Sequence, residues 1–504
     1  MGQTYLAPPN AVRPLASMEM PDLLPVSQRE KQLGADQFPM HSWPSYQMIS
    51  DAQSRVFKHP YFLNQDATCT QNWSVVSQAI RTGKPYPVKG MICFASNPFS
   101  NLSNSNDLYE CIKLLDLMVT HEYTMTPAVM LSDYVLPAAG WLERVQVWGT
   151  NGGGPAISGV ALTGEAAIEP LYERRDNYAF WRSLAEGTFE KEEFEKYWPW
   201  KDSEEANDFM VEPLGVKSAD TVGKPVFCPS PDKWHELTDP QTGELYGFGT
   251  PTGKVEIYST ILEKLFSEDE AIPYYEEPFE SPVSTPELAA EYPLILTTGG
   301  RSIAMFHSEH RQQPTMREFH PWPLVTMHPD TAAEYGIEDG DWVWIETTHG
   351  RCRQKAFLFP GIKPNTIHME HAWWFPEEEA AEPSLYGTFD SNINNMALNF
   401  ETGQGGIGSG IKSFLARIYK YEEGDQMPGE KVTREGGWGD YIPGVMAGDK
   451  ESAEKQAAEG NTALQEQLET ARRVQEMKVK DAEMQGRNAL IYAKEHGEAP
   501  QDGE

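Results

Sequence analysis

The sequence predicts an α/β protein, on three observations. Val88-Lys-Gly-Met-Ile-Cys-Phe-Ala-Ser-Asn97 reads as a buried strand ending in a polar turn, Asp107 to Leu115 as a helix, and Leu117-Met-Val-Thr-His121 and Asp133-Tyr-Val-Leu-Pro137 as two more strands. Strand, helix, strand at this spacing is a parallel α/β unit, whose ligands sit at the carboxyl ends of strands, where Asn97 and His121 fall. Second, the apolar run Pro293-Leu-Ile-Leu-Thr-Thr298 stops at Gly299-Gly300 and is followed by Arg301, Ser302, His307, Ser308 and Arg311. Glycines allow a backbone to come close to a ligand, and arginine, histidine and hydroxyl groups suit an anionic one. Third, 504 residues can bury a large core and hold two or three domains.

Taken in order, residues 1–45 are rich in Pro and Met with little periodicity, and read as the interior of a longer protein. Tyr46 to Arg81 is helical in pattern, with Val76 and Ile80 one turn apart and Gly83-Lys-Pro closing it. The parallel unit follows. Gly149-Thr-Asn-Gly-Gly-Gly-Pro155 is a loop, Arg174 to Ala185 a helix, and Phe189 to Trp200 a surface helix stopped by Pro199. Phe248 to Tyr258 reads as a turn and strand, and Ser267 to Glu291 is an acidic, Pro-rich linker. Beyond Lys420 an acidic tail, 421–504, turns helical near Thr462, with Leu464, Leu468, Ala471 and Val474 as a short apolar stripe. A solvated appendage is the simpler reading of that tail, and partner docking the alternative.

Composition excludes several classes. Against 41 Lys and Arg stand 75 Asp and Glu, a formal charge of -34 that repels nucleic acid and anionic lipid. No stretch is apolar for long enough to span a bilayer, and the opening residues lack the charged and apolar parts of an export signal. The chain is therefore expected in the cytoplasm unless a partner with an export signal carries it out. The five cysteines contain no Cys-x-x-Cys pair, so no zinc site or iron–sulfur cluster is encoded and buried reduced thiols are expected. His307 and His310 lie three apart, but no third metal ligand is nearby, so they are read as hydrogen-bonding groups.

Further motifs complete the pattern: His328-Pro-Asp-Thr-Ala-Ala-Glu-Tyr-Gly-Ile-Glu-Asp-Gly-Asp-Trp-Val-Trp-Ile-Glu346, Gly361-Ile-Lys-Pro-Asn-Thr-Ile-His368, His371-Ala-Trp-Trp-Phe-Pro-Glu377 and Asn392-Ile-Asn-Asn-Met-Ala397. In that order, after the Thr298–Arg311 segment, they resemble the C-terminal cofactor-binding domain of the molybdopterin oxidoreductases, the dimethyl sulfoxide reductase family. Upstream, Asn97-Pro98, Thr124-Met-Thr-Pro-Ala128, Asp133-Tyr-Val-Leu-Pro137, Glu143 and Phe248-Gly-Thr-Pro-Thr-Gly-Lys-Val-Glu-Ile-Tyr258 also match. The Trp-Trp-Phe-Pro-Glu run is similar to that of acetylene hydratases, pyrogallol transhydroxylases and catechol dehydroxylases. One departure is His121, which stands where many relatives have an aspartate.

The resemblance implies a doubly wound, Rossmann-like α/β region over 46–291, a double-psi β-barrel over 292–420 and the partly helical tail. It implies bis-molybdopterin guanine dinucleotide as cofactor, with molybdenum or tungsten. Asn97, His121, Thr298, Gly299, Arg301, Ser302, His307, Ser308, Arg311, Asn392, Asn395 and Gln404 are then the cofactor-binding candidates. Arg301 suits phosphates through bidentate bonds, and an amide such as Asn392 or Asn395 offers donor and acceptor together. Plainer readings stand beside these: a strand end at Thr297–Ser302, a packed His307, loop capping by Asn392 and Asn395, and a flexible turn at Gly403–Gly410. No metal ligand or catalytic group is identified here, and an iron–sulfur cluster would belong to the N-terminal portion. The reading is the C-terminal half of such an enzyme, partnered by its N-terminal half and by an iron–sulfur electron-transfer subunit, shaping a channel for two-electron reduction or hydroxyl transfer on a small substrate. A non-catalytic cofactor-binding or assembly protein is the alternative.

Overall fold

The computed structural model describes residues 31–57, 73–148, 160–212, 247–300, 302, 304–397 and 412–421, with parts of 215–245. Arg301, Gln404, Cys69, Cys228, the 149–155 loop, the 403–410 glycine run and the tail beyond Tyr421 lie outside them.

The parallel unit forms as read. β1 (Gly90–Phe94), β2 (Leu117–Glu122) and β3 (Tyr134–Pro137) pair in parallel in that order, with Ile92 opposite Val119 and Val119 opposite Tyr134. Successive side chains alternate faces, so one face carries Met91, Cys93, Met118 and Thr120 and the other Ile92, Phe94, Val119 and His121. Helices Trp73–Thr82 and Ser105–Ile112 cover the first face, burying Trp73, Cys93, Leu108, Cys111 and Met118 in one cluster. The second helix starts at Asn104, whose side chain accepts from the Asp107 amide at 3.2 Å and satisfies a donor the helix leaves unpaired. Gly83, at φ +67, ends the first helix in the left-handed conformation glycine adopts at least cost.

Three short strands, β4 (Gln146–Trp148), β5 (Val160–Gly164) and β6 (Val226–Phe227), make a separate antiparallel sheet. Helices Asn177–Thr188 and Lys191–Tyr197 fall where their patterns place them. Phe248–Tyr258 differs from expectation: its turn forms, with the Phe248 amide donating to Gly253 O at 2.9 Å, but no strand follows. Val255 and Ile257 have strand character, yet among the described residues no strand pairs with them and they stay 65% and 84% exposed.

The second architecture is built from β7 (Leu294–Gly300), β8 (Leu324–Met327), β9 (Trp342–Thr347), β10 (Gly350–Leu358), β11 (Thr366–Glu370) and β12 (Phe414–Lys420). They close into a six-stranded barrel in the order β10-β8-β11-β7-β12-β9. β7 pairs with β11 and β8 with β10 in parallel, and the other pairs are antiparallel. Leu294, Leu296, Val325, Val343, Ile345, Ile367, Met369 and Ala416 point inward and are fully buried. Cys93, Cys111 and Cys352 are buried free thiols, as expected; burial pushes Cys111 up to about 11.

Candidate functional site: a cleft where the barrel meets the parallel sheet

The carboxyl ends of β1 and β2 open into a cleft of about 160 Å³. Ala95, Ser96 and Asn97 line it from the end of β1, and Glu122, Tyr123, Thr124 and Thr126 from the end of β2. Trp141 and Arg144 close one side, and Ser308, Glu309, Gln312 and Trp374 enter from the barrel. The segment after β7 is stitched onto the sheet. Tyr123 OH donates to Glu309 at 3.1 Å, Gln312 Nε2 donates to Thr124 Oγ1 at 3.3 Å, and Trp374 Nε1 holds Ser308 O at 2.8 Å.

Several polar atoms in this cleft are buried without a hydrogen-bond partner: Asn97 Oδ1, Thr126 Oγ1 and Gln312 Oε1. Asn97 Nδ2 is satisfied by Ser100 Oγ at 2.8 Å, which aims the opposite, accepting end of the amide elsewhere. Beside these stands Glu122, whose carboxyl burial pushes up to about 7, with Glu309 adding to the effect. Buried polar atoms without partners cost stability; here two amide oxygens can accept, and the Thr126 hydroxyl can donate or accept, a bond from whatever enters the cleft.

The second feature is the end of β7. Gly299 sits at φ +97, and a Cβ there would meet Lys412 Nζ at 2.1 Å; one on Gly300 would meet His368 Nε2 at 2.2 Å. Lys412 Nζ donates to Thr298 O at 3.4 Å. His371 Nδ1 lies 3.1 Å from Gly300 O, and its Nε2 lies 3.0 Å from His307 Nδ1. A carbonyl only accepts, so Nδ1 of His371 carries the proton and Nε2 accepts from His307. Burial, reinforced by His307, Arg311 and Lys412, pulls His371 down to about 4, which keeps this neutral tautomer at pH 7. His307 and His310 occupy turns with φ of +46 and +76, not one helical face. Among the described residues no group of three or more His, Cys, Asp or Glu could hold a metal ion.

A family profile described as Molybdopterin oxidoreductase matches residues 27–187, the stretch holding the sheet, and one described as Molydopterin dinucleotide binding domain matches residues 294–402, most of the barrel. The chain belongs to the molybdopterin oxidoreductases. Acetylene hydratase of Syntrophotalea acetylenica is 34% identical over 82% of the chain and 55% of its own length. Dopamine dehydroxylase of Eggerthella lenta is 28% identical over 79% of the chain and 42% of its own length. The solved structure of acetylene hydratase from Pelobacter acetylenicus superposes with a TM-score of 0.73 at 31% identity, covering 82% of this chain and 55% of that one. The chain thus spans about half the length of the curated relatives it matches.

Within this molybdopterin oxidoreductase chain the sequence candidates divide. Asn97 and Ser308 line the cleft, while Thr298, Gly299 and His307 gather at the end of β7, and the Ser302 hydroxyl accepts from the Ala304 amide nearby. Arg311 is buried: its guanidinium donates to the carbonyls of His307, Glu309 and His371 and lies 4.9 Å from the Trp373 ring. Asn392 Nδ2 donates to Phe99 O and Ser105 Oγ and its Oδ1 caps Asn394, so that amide joins barrel to sheet. Asn395 donates to Thr388 O at 3.1 Å and leaves its Oδ1 without a partner. His121 is 1% exposed, stacks on Phe180 at 4.5 Å and does not line the cleft. Its neighbour Glu122 does, as do Thr126, Arg144, Gln312 and Trp374, and Lys412 joins the β7 end; sequence reading singled out none of these six as site residues. The available signal for Glu122 was its place at the end of β2, one residue beyond His121.

Proposed function

We propose that this chain is the C-terminal portion of a molybdopterin-dependent oxidoreductase carrying bis-molybdopterin guanine dinucleotide with molybdenum or tungsten. The carrying observation is the pair of orphaned amide oxygens in the cleft, Asn97 Oδ1 and Gln312 Oε1, with the unpartnered Thr126 hydroxyl, beside the raised carboxyl of Glu122. A guanine edge presents ring N–H and amino donors, which such acceptors fit. Arg144, with a buried unpaired Nε in the same cleft, and Arg301 are the guanidiniums suited to phosphate. Thr298, Gly299, Ser302, His307, Lys412 and Asn395 would hold the rest of the group. His371 would keep His307 oriented through its 3.0 Å bond, and the buried Arg311 would fix the loop between them.

When bound, the metal centre supplies two-electron redox or hydroxyl-transfer chemistry to a small substrate. The residues of this chain bind the dinucleotide, orient it and exclude water from the joint between barrel and sheet. The architecture fitting this reading is a Rossmann-like, doubly wound region over 46–291, a double-psi barrel over 292–420 and an appended acidic tail. The N-terminal half of the enzyme would be the partner, with an iron–sulfur cluster on that portion and an electron-transfer subunit beyond it. The relatives named above are enzymes, which disfavours a non-catalytic assembly role.

The test is co-production with the polypeptide equivalent to the unspanned part of the relatives, followed by metal and guanine analysis and a dye-coupled assay. The complex should contain metal and guanine and turn over, and the single chain should not. Stoichiometric metal with turnover in the single chain would refute the reading of a portion that needs its other half.

A further inference from the structure

At the end of β7, neighbouring side chains crowd a stretch of backbone that has none of its own. Lys412 Nζ fills the space a Cβ on Gly299 would take, and the edge of the His368 ring fills that of Gly300. Among the described residues the long bond to Thr298 O is the only one Lys412 makes, so its ammonium keeps donors to spare. The proton of His368 can be placed from its neighbours. Nδ1 lies 2.8 Å from Thr297 Oγ1, and that hydroxyl lies 3.3 Å from the Ile367 carbonyl. A carbonyl only accepts, so the hydroxyl gives its single proton there and accepts from Nδ1. Nε2 is left with a bare lone pair beside Gly300 and no partner among the described residues. Burial holds the ring below its ordinary 6.5, with Glu370 on its own strand opposing and Lys412 assisting, so it is neutral at pH 7. Thr297 of β7 and Thr326 of β8, paired with His368, carry no charge, and beyond Glu370 stand His371, itself neutral, then His307 and Arg311. A bare lone pair repels an anion, whereas a protonated Nε2 donates to one.

We propose that His368, Lys412 and the Gly299–Gly300 backbone form an oxyanion subsite in which His368 Nε2 takes up a proton when a phosphate group of the dinucleotide seats there. The proposal rests on the reading of the chain as a dinucleotide-binding portion. The proton comes from solvent, an N–H bond forms, and no bond of the anion breaks. The glycines let an oxyanion come close to backbone that any side chain would shield. Lys412 supplies a standing charge, and His368 one that appears only with the anion to compensate it. Cofactor retention would then tighten as pH falls through neutrality, and two residues that touch the diglycine from β11 and from the approach to β12 would set it.

Sulfate is the probe, because it is an oxyanion that does not itself titrate near neutrality. Calorimetry of the full chain at constant ionic strength, in buffers of different ionisation enthalpy, reads affinity and proton uptake together. Binding should strengthen by up to about tenfold per pH unit as pH falls from 8 to 6, with uptake approaching one proton per site. His368→Gln, whose amide offers a donor without titrating, should bind at pH 8 at least as well as the parent and lose the uptake. Lys412→Gln, a change on an exposed side chain, should weaken binding about tenfold or more and keep the uptake. Absence of sulfate binding by the parent, an affinity independent of pH, or uptake that persists in His368→Gln would each overturn the subsite. The parent's pH dependence decides even if His368→Gln fails to fold. Metal and guanine content of the co-produced complex tests the enzyme reading separately. Sulfate binding undiminished in that loaded complex would overturn the assignment to the dinucleotide and leave a site for a free anion.

Discussion

Replacing Glu122 with Gln should make the protein more stable and bind its ligand less well, a combination expected only where a group is held against its own folding preference. Burial, with Glu309 nearby, moves the Glu122 carboxyl from the ordinary 4.5 to about 7. Ionising it in the fold therefore costs roughly 3 kcal/mol. The sign follows from linkage: below about 4.5 the group is neutral in both states, and between there and 7 the unfolded chain loses its proton first, so stability falls as pH rises. Above 7 the folded protein carries the full penalty, and glutamine, which never ionises, does not. The stability difference between Glu122→Gln and the parent should thus grow from under about 1 kcal/mol at pH 5 to roughly 3 kcal/mol at pH 8. Urea titrations at both pH values measure it, and other titrating groups cancel in the difference. Guanosine monophosphate binding, followed by calorimetry, should weaken about tenfold or more in the variant at pH 8, because a charged acceptor is lost. In the parent it should tighten as pH rises through 7. A pH-independent stability difference would refute the burial argument, and unchanged nucleotide affinity would refute the role of the cleft.

Three other outcomes are expected. Arg301→Ala in the reassembled enzyme should lower guanine and metal content together, since an unpaired phosphate loses charge-assisted bonds; equal content in variant and parent would remove Arg301 from the site. Arg317, fully buried and bonded to Glu377 through both terminal nitrogens at 3.1 and 2.7 Å, should lose on the order of 3–5 kcal/mol of stability as Arg317→Met, with much of it recovered in the double variant with Glu377→Leu. Gly247→Ala should destabilise by about 1–3 kcal/mol, because the residue sits at φ +64 and a Cβ would fall 2.7 Å from the Gly253 carbonyl oxygen; denaturant midpoints check both.

What the sequence determined by itself was whatever is written in short range. Strand length, the polar turn at Asn97, the helix between β1 and β2 and the glycines ending β7 are local signals, and motifs that rest on them carried the family resemblance. Only the tertiary structure decided which of two adjacent residues lines the cleft. A strand alternates its side chains, so at the end of β2 His121 turns under Phe180 and Glu122 turns into the cleft. It also assigned the Asn392 amide to the seam with Phe99 and Ser105, and among the described residues left Val255 and Ile257 without a strand to pair with. Contacts of that kind span the chain: Asn106 reaches the Asn395 carbonyl across 289 residues. Period and turn chemistry are properties of neighbours in sequence, whereas burial, pairing and a raised carboxyl pKa are properties of neighbours in space.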